Sequence, residues 1–364
     1  MCLSTRITAA SHSSLSGVKT GSGKGHTQRD STGVSNAGAH TVDKDVMSVK
    51  VKRRVHVAAA AIISADLQQV LIARRPSNVD HGGLWEFPGG KLAPYETGLE
   101  GLKRELHEEL GIEIITAQPL IRVHHEYPDK HILLDVWQVH EFAGEPFGRE
   151  GQAVRWVPMS ELSNYPFPAA NLPILRAVRL PTEYLITGEE SDEARFDAFL
   201  EHALREDRIR LVQLRAKQLD DTAYLARAQR ALAMCRDHGA RLLLNGEPSL
   251  LDQVDADGIH LTSERLMQLE RRPIAESKWL SASTHNQTQL TQAAVLGCDF
   301  VSLSPLRTTP SHPEVSPLGW HDFQQLVERA GMPVFALGGM TRFDANHARA
   351  VGAQGIASIR DFWK

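Results

Sequence analysis

The chain has 364 residues, more than one typical domain core holds, so two domains are expected. Its formal net charge of −4 at pH 7 excludes the basic footprint of a protein that binds polymeric nucleic acid, although free nucleotides remain candidate ligands. Three cysteines without metal-ligand spacing indicate a reducing, cytoplasmic compartment, and no apolar run approaches the length of a membrane span.

The first segment, residues 1–46, is rich in Ser, Gly, Thr and His and shows no apolar periodicity. Such a segment cannot bury enough apolar surface to order itself. We therefore expect either disorder or a misannotated extension ahead of a true initiator at Met47. A transit peptide is the alternative, whereas a secretory signal would need an apolar core that this segment lacks.

The elements of a first folded domain begin at Val55. VHVAAAAII and QQVLIARR have the composition of buried strands joined by a short turn. Further strands are expected near Ile114–Glu126 and His131–Phe142, and AVRWVPMSEL predicts a strand that leads into a short helix. PAANLPILRAV predicts a helix that ends near Arg179. The domain is expected to span residues 50–180.

A helix is also predicted within GKLAPYETGLEGLKRELHEELGI, from Gly90 to Ile112. Glu105, Glu108 and Glu109 stand at positions i, i+3 and i+4, which share one face of a helix and repel one another. A hard cation offsets this repulsion, and Mg²⁺ prefers oxygen ligands and works together with substrate phosphates. The segment therefore indicates a site for Mg²⁺, with Mn²⁺ as a substitute. A solvated acidic helix is the alternative.

The spacing of this segment matches G-x5-E-x7-R-E-U-x-E-E-x-G-U, with U apolar, at every defined position, and it resembles the Nudix box. LIARRPSNVDHGGLWEFPGGK, EYPDKHILL, GEPFGREGQAVRW and FPAANLPILRAV extend the resemblance to MutT-type 8-oxo-dGTP diphosphatases. The resemblance implies an α/β/α sandwich with a mixed sheet. It also implies an Mg²⁺-dependent hydrolase that splits a nucleoside triphosphate into a monophosphate and pyrophosphate, which removes oxidised nucleotides and supports DNA repair.

The same resemblance assigns roles to the acidic residues. It implies that Glu105, Glu108, Glu109 and Glu150, with the Gly89 carbonyl, hold the metal. Glu105 is the expected general base, and Glu108 and Glu150 are its competitors. The other positions of the box are expected to be structural: Gly90, Glu96 and Arg104.

Nucleotide-base recognition is assigned to three further residues. By resemblance, Asn171 hydrogen-bonds the guanine edge, since an amide offers both a donor and an acceptor. A helix cap is the alternative for Asn171. Phe87 either stacks on the base or packs in the core. Arg75 either touches the base or a phosphate, or forms a surface ion pair.

Beyond Leu180, eight short apolar runs alternate with helical stretches: EYLIT, RLVQLRA, RLLLN, DGIHL, WLSAST, DFVSLSP, PVFALGG and GIASI. This rhythm over residues 182–364 predicts parallel βα units and favours a compact TIM barrel, with a doubly wound open sheet as the alternative. VQLRAK, LLLN, DGIHL, STHN and SLSPLRTTPSHP follow in the order typical of thiamine phosphate synthases and TenI-like barrels, which this part of the chain resembles.

A phosphate site is expected where the barrel strands end, because barrel active sites lie at that face. Its candidates are Arg215 and Lys217 together with the backbone amides of Gly338 and Gly339. A tight turn is the alternative for the two glycines. The resemblance implies a thiamine-related phosphate as ligand.

Two departures from the synthase pattern limit the expected chemistry of the barrel. Where that family carries acidic metal ligands, this chain has Gly246 and, by alignment, Arg265, next to Glu264. A metal-free tautomerase of the TenI type, with His312 as acid/base, or a ligand sensor without chemistry fits better than synthesis. A solvated loop histidine is the alternative for His312. The fusion also suggests an alternative for the first domain, the hydrolysis of thiamine-related pyrophosphates.

Overall fold

A computed structural model describes residues 52–309 and 315–364 of the chain. The expectation for residues 1–46 lies outside these ranges, and so does the candidate acid/base His312. Within the described ranges, no helix combines the length and the hydrophobicity needed to cross a lipid bilayer.

The first architecture is a sheet of seven strands. In chain order the strands are β1 (Arg53–Ile63), β2 (Gln69–Arg74), β3 (Trp85–Glu86), β4 (Gly89–Lys91), β5 (Glu113–Glu126), β6 (Lys130–Ala143) and β7 (Val154–Pro158). The main path runs β3-β2-β1-β6-β5, with β4 paired to β1 and β7 paired to β2. Strand β1 is parallel to β6 but antiparallel to β2 and β4, so the sheet is mixed.

Strand β1 is buried on both faces of the sheet, which explains its continuous apolar sequence. Successive side chains of a strand point to opposite faces. Ile62 packs in a core with helix α1 (Gly98–Leu110), and Ile63 packs in the opposite core with helix α2 (Leu172–Ala177). The sheet is therefore sandwiched between helices.

Helix α1 is fixed at both ends by its own sequence. Thr97 and Glu100 form a reciprocal capping box at its start, and Gly111 ends it in the left-handed conformation, with φ of 71°. Leu102, Leu106 and Leu110 are fully buried at four-residue spacing. This spacing orients the helix so that glutamates on the neighbouring stripe face the strand Gly89–Lys91.

The second architecture is a closed barrel of eight parallel strands. The strands are β8 (Glu183–Ile186), β9 (Leu211–Leu214), β10 (Arg241–Asn245), β11 (Gly258–Leu261), β12 (Trp279–Thr284), β13 (Phe300–Leu303), β14 (Val334–Ala336) and β15 (Gly355–Ser358). The helices between them are α3 (Glu193–Arg205), α4 (Asp221–Asp237), α5 (Ser263–Gln268), α6 (Gln287–Val295), α7 (Gly319–Ala330) and α8 (Ala345–Ala350). Strand β15 pairs with β8 and closes the ring, so the open-sheet alternative is wrong and the predicted fold class is confirmed.

Aromatic rings fill the barrel axis. Tyr184, Phe300 and Phe335 come from three different strands, with ring centroids 5.4–5.5 Å apart. Leu180, which precedes the first barrel strand, belongs to the same apolar cluster, and so does Trp279. The cluster therefore joins the end of the first architecture to the interior of the second.

The barrel also covers the edge of the sheet. Strand β5 ends the strand path, and α7 and α8 lie against it. Arg349 of α8 donates to the Gln118 side chain and, at 2.8 Å, to the Pro119 carbonyl. Open edge strands invite pairing with other chains. The barrel helices remove this opportunity along part of β5.

Candidate active site

A cavity of about 780 Å³ runs along strand β1. Arg53, Val55, Val57 and Ala59 line it from alternate positions of the strand, and this stretch spans about 20 Å at the usual rise per residue. Its volume lies within the range of about 300–1,000 Å³ that is typical of small-molecule sites. Ala59 pairs with Gly89, so the glycine strand and the helix α1 carboxylates lie at one end of the cavity.

Two adjacent glycines bring the backbone against two carboxylates. A Cβ atom on Gly90 would overlap the carboxyl group of Glu105. The Gly89 N–H donates to Glu109 Oε2 at 3.2 Å. Gly89 has φ of 141°, and a side chain there would collide with the Ala58 carbonyl. Only glycine fits at these two positions without displacing the acidic side chains or the strand.

Negative charge is concentrated at this end of the cavity. Burial raises the pKa of Glu109 to about 8, against the opposing hydrogen bond from Gly89, and the neighbouring Glu86, Glu105 and Glu150 raise it further. All four glutamates line the cavity. Carboxylates placed in this way favour either a proton or a cation between them.

Arg104 fixes the position of Glu105. Its guanidinium donates to both oxygens of Glu96 at 2.9 Å, to Glu105 at 2.9 Å and to the Lys91 carbonyl at 3.1 Å. The bond from Arg104 lowers the pKa of Glu96 to about 2. Arg104 also reaches Glu108 at 3.2 Å, but the Glu108 side chain is 56% exposed and does not line the cavity. The structure thus brings Glu105 into the cavity and leaves Glu108 at its outside.

Glu150 reaches the cavity on a loop that is tied to the end of α1. Arg149 N–H donates to the Glu109 carbonyl at 2.9 Å, and the Arg149 guanidinium donates to the His107 carbonyl at 2.8 Å. The Gln152 amide donates to the Glu109 carbonyl at 3.1 Å. The bonds to Glu109 satisfy a carbonyl that the helix end leaves free, and all three bonds hold the loop that carries Glu150 against the end of the helix.

The donor set of this end suits a hard divalent cation. In the part of the chain that the structure describes, no three or more His, Cys, Asp or Glu side chains come together in a group that could hold a metal ion by itself. Mg²⁺ does not require one, because it commonly binds through one or two carboxylates, waters and substrate phosphates. Gly89, Glu105, Glu109 and Glu150 all line the cavity and can supply oxygen ligands. The chemistry of these residues therefore suits such an ion.

Asn171 and Phe87 lie beside each other in the same cavity. Asn171 is 9% exposed, and its Oδ1 atom accepts a bond from the Phe87 N–H at 3.5 Å. Its side chain makes no capping bond to α2. The Phe87 ring is buried and stacks on Phe167 at 5.8 Å. Both residues reach the cavity lining without being exposed to bulk solvent.

Arg75 lines the cavity within an ion pair. It bonds Glu86 and donates to the Asp80 carbonyl at 2.9 Å. Sequence reasoning missed Glu86, whose pKa is raised by burial. The sequence feature that could have identified Glu86 is its position directly before Phe87, in the segment that leads to the two glycines. It also missed Tyr127, which lines the rim and packs against its neighbour His125 with ring centroids 4.5 Å apart.

The predicted phosphate residues of the barrel are engaged within the protein. Arg215 pairs with Glu189 at 2.9 Å, and the Lys217 N–H donates to the same carboxylate at 3.4 Å. A side chain on Gly338, where φ is 105°, would collide with the backbone at Leu306. Gly338 thus permits a close approach between two loops, and phosphate binding at Gly338 and Gly339 stays a prediction.

The barrel interior holds a polar group that sequence reasoning did not select. His260 is 1% exposed, and its ring nitrogens lie 2.7 Å from Ser281 Oγ and 2.8 Å from Ser283 Oγ. Tyr184 Oη lies 3.2 Å from the same ring. Burial lowers the pKa of His260 to about 3, so the ring is neutral at physiological pH. The signal was a single histidine within an apolar strand, DGIHL.

Two family models match the chain in succession. A NUDIX domain matches residues 58–177, and thiamine monophosphate synthase, TMP-TENI, matches residues 183–362. The chain belongs to both families: a Nudix hydrolase of the MutT type, which acts on phosphorus anhydrides, is fused to a barrel of the thiamine monophosphate synthase and TenI family.

Similar proteins are known for each part. The 8-oxo-dGTP diphosphatase of Haemophilus influenzae (strain ATCC 51907 / DSM 11121 / KW20 / Rd) is 38% identical over 134 residues, which cover 37% of this chain and 98% of that protein. The CTP pyrophosphohydrolase of Escherichia coli (strain K12) is 41% identical over 118 residues, 32% of this chain and 87% of that protein. The putative thiamine-phosphate synthase 2 of Aquifex aeolicus (strain VF5) is 32% identical over 185 residues, 51% of this chain and 99% of that protein. The chain spans about half the length of the thiamine-phosphate synthase of Prochlorococcus marinus (strain MIT 9303), at 34% identity over 48% of this chain.

Proposed function

We propose that residues 50–180 hydrolyse a nucleoside triphosphate to the monophosphate and pyrophosphate with Mg²⁺, and that 8-oxo-dGTP is the preferred substrate. One observation carries this proposal. A single cavity joins the carboxylates of Glu105, Glu109 and Glu150 to a buried amide, that of Asn171. A triphosphate and its base need these two chemistries in one site. The 8-oxo-dGTP diphosphatase relative supports the choice of nucleotide.

The carboxylates have two tasks in this proposal. Gly89, Glu105, Glu109 and Glu150 would hold a divalent ion, which when bound would neutralise phosphate charge and lower the pKa of water. Glu105 accepts the proton of the attacking water, and Arg104 holds its carboxyl group in place through a 2.9 Å bond. Glu150 is the remaining competitor as base, because it shares the cavity lining with Glu105.

Asn171 supplies base selectivity in this proposal. Its Oδ1 atom faces the Phe87 N–H, so the amide NH₂ group is left to donate to a carbonyl of the base. A site built on such a bond rejects bases that leave the buried group unpaired. Phe87 lines this part of the cavity, and its ring is held by stacking on Phe167.

Substitution of single glutamates tests the catalytic assignment. Glu105→Gln keeps the shape but removes the base, and kcat should fall by about 10²–10⁴. Glu108→Gln should lose less than about tenfold, because Glu108 is outside the cavity lining. Glu113→Gln, on an exposed position of β5, is the matched control. Equal kcat values for wild type and Glu105→Gln, measured as pyrophosphate release, would refute the role of Glu105.

CTP is the second candidate substrate. The CTP pyrophosphohydrolase relative is 41% identical over its matched residues, slightly more than the diphosphatase relative. Comparison of kcat/KM for 8-oxo-dGTP, dGTP, CTP and thiamine pyrophosphate decides among them. A preference for 8-oxo-dGTP over dGTP supports the first proposal, a preference for CTP supports the second, and thiamine pyrophosphate as the best substrate refutes both.

For the barrel we propose binding of a thiamine-related phosphate without metal-assisted synthesis. Arg265 pairs with Glu247 at 2.6 Å and Arg215 pairs with Glu189, so a cation and a carboxylate already neutralise each other at these positions. Calorimetry with thiamine phosphate tests the proposal in the presence of Mg²⁺ and of a chelator. Equal affinity in both supports it, and binding that requires Mg²⁺ contradicts it.

A further inference from the structure

The helix that carries one wall of the hydrolase cavity ends against the barrel. Helix α2 has six residues, and Asn171, immediately before it, and Ile174 within it both line the cavity. A helix this short is not stable by itself and depends on contacts with its surroundings. The groups that hold its end therefore influence where the Asn171 amide lies.

One barrel side chain gathers the carbonyls at that end. Gln354 is 1% exposed, and its Nε2 atom donates to the carbonyls of Ala177 and Leu180 at 3.1 Å and of Pro181 at 3.4 Å. Three carbonyls around one atom identify it as the amide nitrogen. Gln354 Oε1 has no hydrogen-bond partner among the described residues, so an apolar substitution removes the donor and breaks no other bond.

Gln354 itself is held rigidly. Its N–H donates to the Val334 carbonyl at 2.8 Å, and it directly precedes strand β15. The next residue, Gly355, lies so close to Thr182 that a Cβ atom there would collide with the Thr182 carbonyl. The side chain of Gln354 thus extends from the wall of a closed barrel, which is a firm support for a bond across the interface.

Two other barrel residues bind the end of α2 and the turn that follows it. Arg241 donates to the Arg179 carbonyl at 2.7 Å, and the guanidinium groups of both arginines lie over the Trp279 ring, at 4.8 Å and 5.0 Å. Asp299 pairs with Arg176 at 3.4 Å. Every contact named here reaches the end of α2 or the turn after it. The barrel therefore supports the helix at its carboxyl-terminal end, whereas Asn171 lies at its amino-terminal end.

We propose that Gln354 is a positioning residue of the hydrolase: from the barrel, it fixes α2 and thereby the Asn171 amide, so that the barrel sets the nucleotide selectivity of a cavity it does not line. The inference rests on the proposed function for the identity of the substrate. It gives the fused barrel a role in hydrolysis whether or not the barrel binds a ligand of its own.

The test compares two glutamines in the full-length protein. Gln354→Met keeps the side-chain volume and removes the donor. Gln292→Met is the control, because Gln292 also donates to carbonyls near a helix end, those of Leu266 and Leu269, but entirely within the barrel. For Gln354→Met we expect the KM for the preferred nucleotide to rise about fivefold, the effect of one lost hydrogen bond, with kcat changed by less than about twofold. Gln292→Met should leave both constants unchanged.

The rate of amide hydrogen exchange in residues 168–177 shows, without any substrate, how firmly Gln354 holds α2. Faster exchange in Gln354→Met than in Gln292→Met supports the proposal, and equal exchange overturns it. Equal KM values and equal selectivity in the two variants also overturn it. If the wild type hydrolyses none of the nucleotides, the proposed function fails, and the exchange result still decides whether Gln354 anchors α2. Gln354→Asn, which withdraws the amide by one methylene, replaces the Met variant if that variant does not fold.

Discussion

The hydrolase cavity and the mouth of the barrel handle charge in opposite ways. In the cavity, Glu109 is surrounded by other carboxylates, and its pKa is raised to about 8 by burial and by these neighbours. At the barrel mouth, Arg215 pairs with Glu189 and Arg265 pairs with Glu247. Arg75 pairs with Glu86 and Arg104 pairs with Glu105, whereas no ion pair of the described residues engages Glu109. A carboxylate without a cationic partner among other carboxylates favours a proton or a cation, whereas paired charges do not. In our proposal the cavity is therefore the place that takes the cation.

The removal of divalent ions should have the largest effect. A bound metal contributes several kcal/mol of transition-state stabilisation, so a chelator should lower nucleotide hydrolysis by about 10³-fold or more. Binding of thiamine phosphate to the barrel should not change. Both are measured on the same preparation, by pyrophosphate release and by calorimetry. Hydrolysis that persists at full rate in chelator would break the contrast between the two regions.

Gly90→Ala should have the next largest effect. The added Cβ atom overlaps the Glu105 carboxyl group, and a displacement of about 1 Å at a catalytic group can cost about 10²-fold in rate. Because the loss acts through Glu105, the double variant Gly90→Ala, Glu105→Gln should be no slower than Glu105→Gln alone. Additive losses in this kinetic cycle would show that Gly90 acts by another route.

Acid should destabilise the barrel through His260. Its pKa is about 3 in the folded protein and about 6.5 when unfolded, so the unfolded chain binds more protons between these values. This difference leaves the free energy of unfolding unchanged above pH 6.5. Below pH 6.5 it lowers the free energy of unfolding by about 1.4 kcal/mol per pH unit. Urea unfolding at pH 7.5 and pH 4.5 measures this decrease in the free energy of unfolding. The decrease should be smaller in His260→Gln than in the wild type, by about 2–3 kcal/mol. Parallel losses in both proteins would contradict a buried neutral ring.

The paired charges of the barrel mouth should have the smallest effect. The Arg215 and Glu189 side chains are 27% and 32% exposed, and partly exposed ion pairs contribute about 0.2–1 kcal/mol. A double-mutant cycle with Arg215→Gln and Glu189→Gln, followed by urea unfolding, measures this coupling. Nucleotide hydrolysis should be unchanged in all three variants. A coupling energy of several kcal/mol would contradict the view that the paired charges of the barrel mouth contribute little.

The fold was accessible from the sequence because its signals are local. The continuous apolar run of β1, the Thr97 cap, the Gly111 stop and eight short apolar runs each depend on neighbours in the chain. The sequence pattern did not single out helix α5, with six residues, or helix α7, with 12 residues. The predicted fold class is nevertheless confirmed.

The site was accessible only in part, because its details depend on tertiary contacts. The spacing of the box placed Glu105, Glu108 and Glu109 on one helix, but the bond from Arg104 and the exposure of Glu108 depend on how that helix packs. Glu86 enters the cavity through a strand pairing that its own sequence does not announce. Gln354 reaches α2 across more than 170 residues, and no local pattern indicates that bond.

Mn²⁺ binding to Glu109→Gln tests most directly the claim that the cavity carboxylates hold a divalent ion, since Glu109 lies among these carboxylates. Binding of the paramagnetic ion can be measured by electron paramagnetic resonance. Wild type and Glu113→Gln should bind the ion with equal affinity at the cavity. Glu109→Gln should bind it at least about tenfold more weakly, as expected when a carboxylate ligand of a hard cation is removed. Equal affinity in all three proteins would show that these carboxylates do not hold the ion on which the proposed hydrolysis depends.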